Sequence, residues 1–278
     1  MTYCKMDQIA ARGIKAFREL KDEPFFLALG FLKPHLPFIA PKKYWDMYPP
    51  EKVEVAPNRY PPKDAPPFAS TTWGHPRTYT DFPNKGEPPE ELVRELTRGY
   101  AACVSYVDAQ VGRVLNELDH LGLRDNTIVV LWGDHGWHIG ENHIWGKATN
   151  FELSTRAPLI VSDPRMKAAG SKTDALVEFV HLLHACVGFS DLTLDFPHPG
   201  AKHAFASAVI ESFRFGFVSQ FLLGLRDGDF ALKLLLDDEE SFERLWVSQQ
   251  GNCVFRRYCE VGDQKVSEHA RRGDVVDE

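Results

Sequence analysis

The chain has no surplus of positive charge. It carries 32 Lys and Arg against 39 Asp and Glu, a formal net charge of −7, with no long Lys/Arg cluster. Phosphate backbones are bound through basic faces, so nucleic acid is excluded as the main partner. Long apolar runs are also missing. The richest stretch, Phe213 to Leu225, is broken by Arg214, Ser219, Gln220 and two glycines, so no membrane-spanning helix is expected. Met1-Thr-Tyr-Cys-Lys-Met-Asp7 has no apolar core of a secretion signal. The chain is therefore read as cytoplasmic if complete as written. Cysteine is scarce, five residues without the close pairing of a zinc site. Cys103 falls on an apolar helix face and is expected as a buried free thiol. Cys253 and Cys259 are the pair that an oxidising compartment could join. There is no internal repeat and no low-complexity tract.

What is present is an ordinary globular composition, 44% hydrophobic and 26% charged over 278 residues. That suits one large domain, or one domain with an appendage. Residues 7–20 predict a helix with Ile9, Ile14, Phe17 and Leu20 on one side. Phe25-Phe-Leu-Ala-Leu-Gly30 is a continuous apolar run, as in a strand buried on both faces. Residues 34–89 hold most of the prolines, including the pairs 49–50, 61–62, 66–67 and 88–89. Proline fixes φ and removes a donor, which predicts a long irregular excursion. Its aromatics, among them Tyr44, Trp45, Tyr48 and Phe82, argue that it is ordered and lies near the site.

The plainest element is a helix over 90–121. Leu92, Leu96, Tyr100, Cys103, Val107, Val111, Val114 and Leu118 form one stripe at steps of three and four, and Gly122 supplies a stop. Thr127-Ile-Val-Val-Leu131 then reads as a buried strand, Pro158-Leu-Ile-Val161 as another, and 173–187 as a helix. Strand–helix–strand order predicts an α/β/α sandwich around a mostly parallel sheet. Beyond about residue 190 the pattern blurs. Phe230 to Leu236 suggests a strand and Glu239 to Trp246 a helical turn. The natural division is 1–190 and 191–278.

The chemistry concentrates where the strand at 127–131 ends. Trp132-Gly-Asp-His-Gly-Trp-His-Ile-Gly140 places Asp134 beside His135 in a glycine-rich turn, twelve residues before Lys147. Open α/β sheets bind ligands at the carboxyl ends of their strands. A carboxylate and an imidazole there, with a lysine near, suit a hard metal and an anionic substrate. Trp137 and Trp145 either shape the mouth of such a site or pack in the core.

Four stretches resemble the sulfatases of the alkaline-phosphatase-like superfamily, in particular the iduronate-2-sulfatase branch. They are Phe25 to Phe38 with Lys33-Pro34-His35; Gly99 to Leu118 with Ser105-Tyr-Val-Asp-Ala-Gln-Val-Gly112; Gly133 to Glu141; and Trp145-Gly-Lys147 to Phe151 with Thr155-Arg-Ala-Pro-Leu159. The resemblance implies an alkaline-phosphatase-like fold and hydrolysis of sulfate esters, in particular sulfated sugars, with a calcium ion. Asp134 and His135 match two metal ligands of that family. His35 matches a histidine that contacts the sulfate or protonates the leaving oxygen, and Lys147 a lysine that binds the sulfate. His138 either lines the pocket or is a loop residue, and Arg156 is expected to anchor its loop. Such proteins work outside the cytoplasm or in lysosomes.

The family nucleophile is a formylglycine made from the cysteine of a Cys-x-Pro-x-Arg motif. None of Cys4, Cys103, Cys186, Cys253 and Cys259 begins one, and the family's early aspartate pair is absent too. The resemblance then implies a catalytic domain incomplete at its N-terminal edge, inactive alone, with a partner chain carrying the missing half or none at all. A catalytically inactive remnant and a phosphoesterase of the same superfamily are the alternatives. An exposed sheet edge would follow from the incompleteness.

Overall fold

The structure, a computed structural model, describes residues 4–23, 25–69, 75–80, 82–167 and 169–178, and five later strands as backbone. Helix α1 (Cys4–Leu20) leads into strand β1 (Phe25–Phe31). The excursion follows, with a short helix α2 (Lys42–Trp45) and single 3-10 turns at Pro50–Lys52, Pro67–Ala69 and His75–Thr78. Helix α3 (Glu90–His120) precedes β2 (Ile128–Gly133). A two-stranded hairpin, β3 (His138–Ile139) and β4 (Trp145–Gly146), leads to α4 (Glu152–Thr155) and β5 (Leu159–Ser162). The later strands are β6 (Gln220–Leu225), β7 (Ala231–Leu235), β8 (Phe242–Val247), β9 (Cys253–Val261) and β10 (Gln264–His269).

The apolar stripes explain how these elements pack. On β1, Phe25, Leu27, Leu29 and Phe31 alternate onto one face and are buried with Met6, Ile9 and Phe17 of α1 and Ala102, Tyr106, Val107, Val111, Val114 and Leu118 of α3. Each such side chain contributes about 1.5–3 kcal/mol when fully buried. α1 can approach β1 closely because position 13 is glycine, where a Cβ would stand 2.6 Å from Leu29 Cδ1. Gly122, at φ +67°, ends α3 as expected of a left-handed stop. Thr127 caps the same turn from within, its Oγ1 donating to Leu123 O at 2.7 Å.

The α/β class stands, but the strand pairing departs from the mostly parallel expectation. The eight-stranded order is β10-β9-β8-β7-β1-β6-β2-β5. Only β1 and β7 pair in parallel. β1 and β2 do run in the same direction, as a crossover through α3 requires. They are not neighbours, however, because β6 lies between them, antiparallel to both. β5 pairs antiparallel on the far side of β2. A strand contributed from residues 220–225 cannot be placed by local pattern. The sheet joins strands from both sides of residue 190.

Three further expectations are corrected. The stretch read as a helical turn at 239–246 contains β8, which pairs with β7 and β9; its aromatic and branched residues favour a pleated ladder. Residues 173–178, the start of the helix expected at 173–187, carry no regular structure; the remainder, with His181, His184 and Cys186, lies outside the described residues. Cys253 and Cys259 both lie on β9. Six residues of extended strand separate their Cα atoms by about 20 Å, whereas a disulfide needs under about 7 Å, so they cannot pair with each other.

Candidate active site

Because β1 and β2 share a direction, the loops that leave them open at the same edge of the sheet. β1 delivers Lys33 to Phe38, β2 delivers Asp134 to Trp137, and the β3–β4 hairpin returns Lys147. Gly136 is what lets the middle loop sit so low. Its N–H donates to Ser154 O at 2.8 Å, and a Cβ there would stand 2.0 Å from Leu153 O. At Gly133 a Cβ would stand 3.1 Å from Pro158 Cδ, a tight but milder contact.

Asp134 and His135 face each other, Oδ2 to Nε2 at 3.2 Å. His135 Nδ1 lies 2.8 Å from Gly136 O. A carbonyl only accepts, so Nδ1 carries the proton and a neutral ring turns the Nε2 lone pair towards the carboxylate. Asp134 Oδ1 and His135 Nε2 are both buried without a hydrogen-bond partner. Burial lifts the Asp134 carboxyl above its ordinary range, opposed by its neighbours His135 and Lys147. Burial likewise holds His135 below its ordinary value, opposed by Asp134, and lowers Lys147, again opposed by Asp134.

Trp137 sits at the centre of the expected residues. Its ring is 6.3 Å from that of His35, edge-on, and 6.4 Å from that of His135, and Lys147 Nζ stands 6.0 Å from its centroid. Thus His35, His135 and Lys147, from three separate loops, meet around one indole. His35 Nδ1 donates to Leu36 O at 2.7 Å. Trp145, by contrast, is a core residue, edge-on to Phe82 at 5.6 Å in a cluster with Val93.

His138 is not brought to this group. It has no exposed surface. Nδ1 donates to Glu141 O and Nε2 accepts from Thr149 Oγ1, both at 3.3 Å, and its ring lies edge-on to Phe151 at 5.9 Å. These contacts tie it to the hairpin. Thr149 Oγ1 also lies 2.8 Å from Ser154 Oγ, and Thr149 N donates to Lys147 O at 2.8 Å. The hairpin that carries Lys147 is so tied to the helix that receives Gly136. Arg156 pairs with Glu152 at 3.3 Å on an exposed surface, a weak anchor at most.

Two neighbours escaped the sequence pattern. Tyr100, part of the α3 stripe, has its phenol pushed up by burial and further by Glu141, Cys103 and Asp134, and lies edge-on to Phe38 at 5.6 Å. Lys33 is wholly buried. Neither fact has a local signature.

A metal ion was expected at Asp134 and His135. Two buried acceptors without donors suit a cation. Yet among the described residues no three His, Cys, Asp or Glu side chains are grouped to hold one, and calcium takes six to eight oxygens. The described residues thus bring together two candidate ligands, fewer than calcium takes.

Iduronate 2-sulfatase of Mus musculus is 35% identical over 217 residues, 66% of this chain and 39% of that protein. A sulfatase of Formosa agariphila is 36% identical over 190 residues, 64% of this chain and 35% of that protein. A phosphonate monoester hydrolase from Silicibacter pomeroyi superposes with a TM-score of 0.50 at 31% identity, over 56% of this chain and 32% of that one. The chain thus spans 39% or less of the length of each of these relatives. The sulfatase family model matches residues 2–191, more than half of the chain, and the chain therefore belongs to the sulfatase family.

Proposed function

We propose that this chain forms part of a hydrolase of sulfate esters, with sulfated sugars as the substrate class. The observation that supports it best is the convergence of His35, His135 and Lys147 on Trp137. A sulfate ester is an anion whose charge moves to the bridging oxygen as the S–O bond breaks. The Lys147 ammonium holds the sulfate oxygens and offsets that charge. His35, its ring carrying both protons and Nδ1–H held on Leu36 O, gives the Nε2 proton to the leaving oxygen and is left as the neutral ring. The Trp137 ring excludes water from one side of the group.

Asp134 and His135 are the two residues that would ligate a divalent cation, calcium by the family resemblance. Bound there, the ion would polarise the sulfate. The other ligands and the nucleophile come from outside these 278 residues, from a longer form of the chain or from a partner chain. The chain by itself is then inactive by this route.

The test is the coding DNA upstream of Met1. An in-frame Cys-x-Pro-x-Arg is expected, and the longer product should hydrolyse 4-nitrocatechol sulfate. In that product Lys147→Met and His35→Gln should each lower kcat/KM by about 10²–10⁴. A second reading, a phosphoesterase, is favoured by the likeness to the phosphonate monoester hydrolase. A longer product that cleaves phosphate or phosphonate esters and leaves sulfate esters intact would establish that one. If neither ester is cleaved and the chain binds no inorganic sulfate, the hydrolase reading falls.

A further inference from the structure

Lys33 is a charged side chain with no exposed surface, and nothing in the proposed chemistry uses it. Burying an ammonium is costly unless its N–H groups are satisfied. Here Nζ donates to His35 O at 3.1 Å and to Pro37 O at 2.5 Å. Both carbonyls belong to the loop that carries His35, one of them to His35 itself. The rest of that loop is closed by short backbone bonds, His35 N to Leu32 O at 2.9 Å and Ile39 N to Pro37 O at 2.8 Å. The side chain of residue 33 therefore folds under residues 35–37 and ties them from below. The His35 ring, its Nδ1 turned to Leu36 O, is then left edge-on to Trp137. On the inner side the ammonium lies close enough to α3 to oppose the burial that pushes the Cys103 thiol up to about 11.

We infer that Lys33 is the positioning residue for His35, a buried cation that closes the 33–37 loop on two carbonyls and so sets the imidazole against Trp137. Methionine, neutral, unbranched and one atom shorter, would fill most of the space and leave both carbonyls without this donor. The loop would then reopen, because a buried carbonyl is cheaper to hydrate than to leave unpaired. A merely space-filling lysine makes the opposite prediction, since methionine would replace it without moving the ring. This assignment rests on the proposed role of His35 for its functional meaning, but its geometry is testable without catalysis.

The experiment is imidazole NMR on the full chain, comparing wild type, Lys33→Met and Lys33→Arg. His35 is assigned through His35→Gln, and His138, bonded elsewhere, serves as the internal control. In Lys33→Met the His35 Cε1–H signal should move to the free-histidine position, losing the ring-current displacement from Trp137, while the His138 signal stays in place. Lys33→Arg should restore part of the displacement. A His35 signal unchanged in a folded Lys33→Met chain overturns the assignment. Should Lys33→Met fail to fold, the wild type decides: slowly exchanging ζ-ammonium protons of Lys33 with NOEs to residues 35–37 support it, and their absence overturns it. Titration with inorganic sulfate separates the two levels. A wild-type His35 signal that ignores sulfate counts against the proposed function, and leaves the effect of Lys33→Met on the ring standing.

Discussion

Two glycines separate backbone necessity from helix propensity. At Gly136 a Cβ meets a carbonyl oxygen of α4 at 2.0 Å, and backbone cannot turn aside as a side-chain tip can. Gly136→Ala should therefore destabilise the chain at or above the upper end of the roughly 1–3 kcal/mol seen for overpacking, and should displace the Asp134–His135 pair. Gly112, inside α3, has nothing within 4 Å of the added methyl; Gly112→Ala should stabilise by about 0.5–1 kcal/mol through helix propensity alone. Urea unfolding of both variants checks the contrast. His138 has a pH signature of its own. Burial holds its imidazole below 6.5, so below that pH the unfolded chain binds a proton that the folded chain refuses. Stability is then present above pH 6.5 and lost as pH falls towards the folded value. His138→Phe should flatten that dependence in urea titrations between about pH 5 and 7. It should not abolish it, because His135 is shifted the same way.

Elements show which of these features a sequence displays. α3 was legible because its stripe is local, one side chain per turn over 31 residues. β1 and β2 were legible as apolar runs, and with them the loops at their ends. His35, Asp134, His135 and Lys147 each follow a strand within a few residues, so their placement comes with the strand. The sheet order was not legible, since β6 enters between β1 and β2 from nearly a hundred residues later. Nor was the gathering of three loops around Trp137 or the burial of Lys33, for both depend on loops meeting in space. The tie between the β3–β4 hairpin and α4 is of the same kind. It runs from His138 through Thr149 to Ser154, whose carbonyl receives Gly136 N. Thr149→Val keeps the volume and removes the hydroxyl, leaving His138 Nε2 and Ser154 Oγ short of a buried partner. A cost of about 1–3 kcal/mol is expected in thermal or urea unfolding. Hydrogen exchange should rise together at the amides of Gly136 and Ser154 if the two loops are one unit, and at neither if the hydroxyl bonds are incidental.

At the scale of the molecule the sheet itself makes a demand. β5 stands at one end of the strand order. Among the described residues no strand covers its outer edge, and Leu159 and Ile160 on it are 40% and 58% exposed. Unpaired edges with apolar side chains template association, and natural sheets blunt them with lysine. The chain carries seven net negative charges, which opposes association at low salt and does so less as salt rises and the charges are screened. Self-association through β5 should therefore grow with ionic strength, opposite to what an association driven by charge attraction would show. Ile160 pairs with Leu131 of β2 through its backbone, so Ile160→Lys leaves the ladder intact and changes only what the edge offers to another chain. Light scattering against concentration, at low and high salt, is the measurement. The variant should raise the concentration at which scattering begins, most clearly at high salt, with the melting temperature unchanged within error. An onset that does not move with Ile160→Lys would place the association on another surface, and β5 would be an edge that the chain already protects.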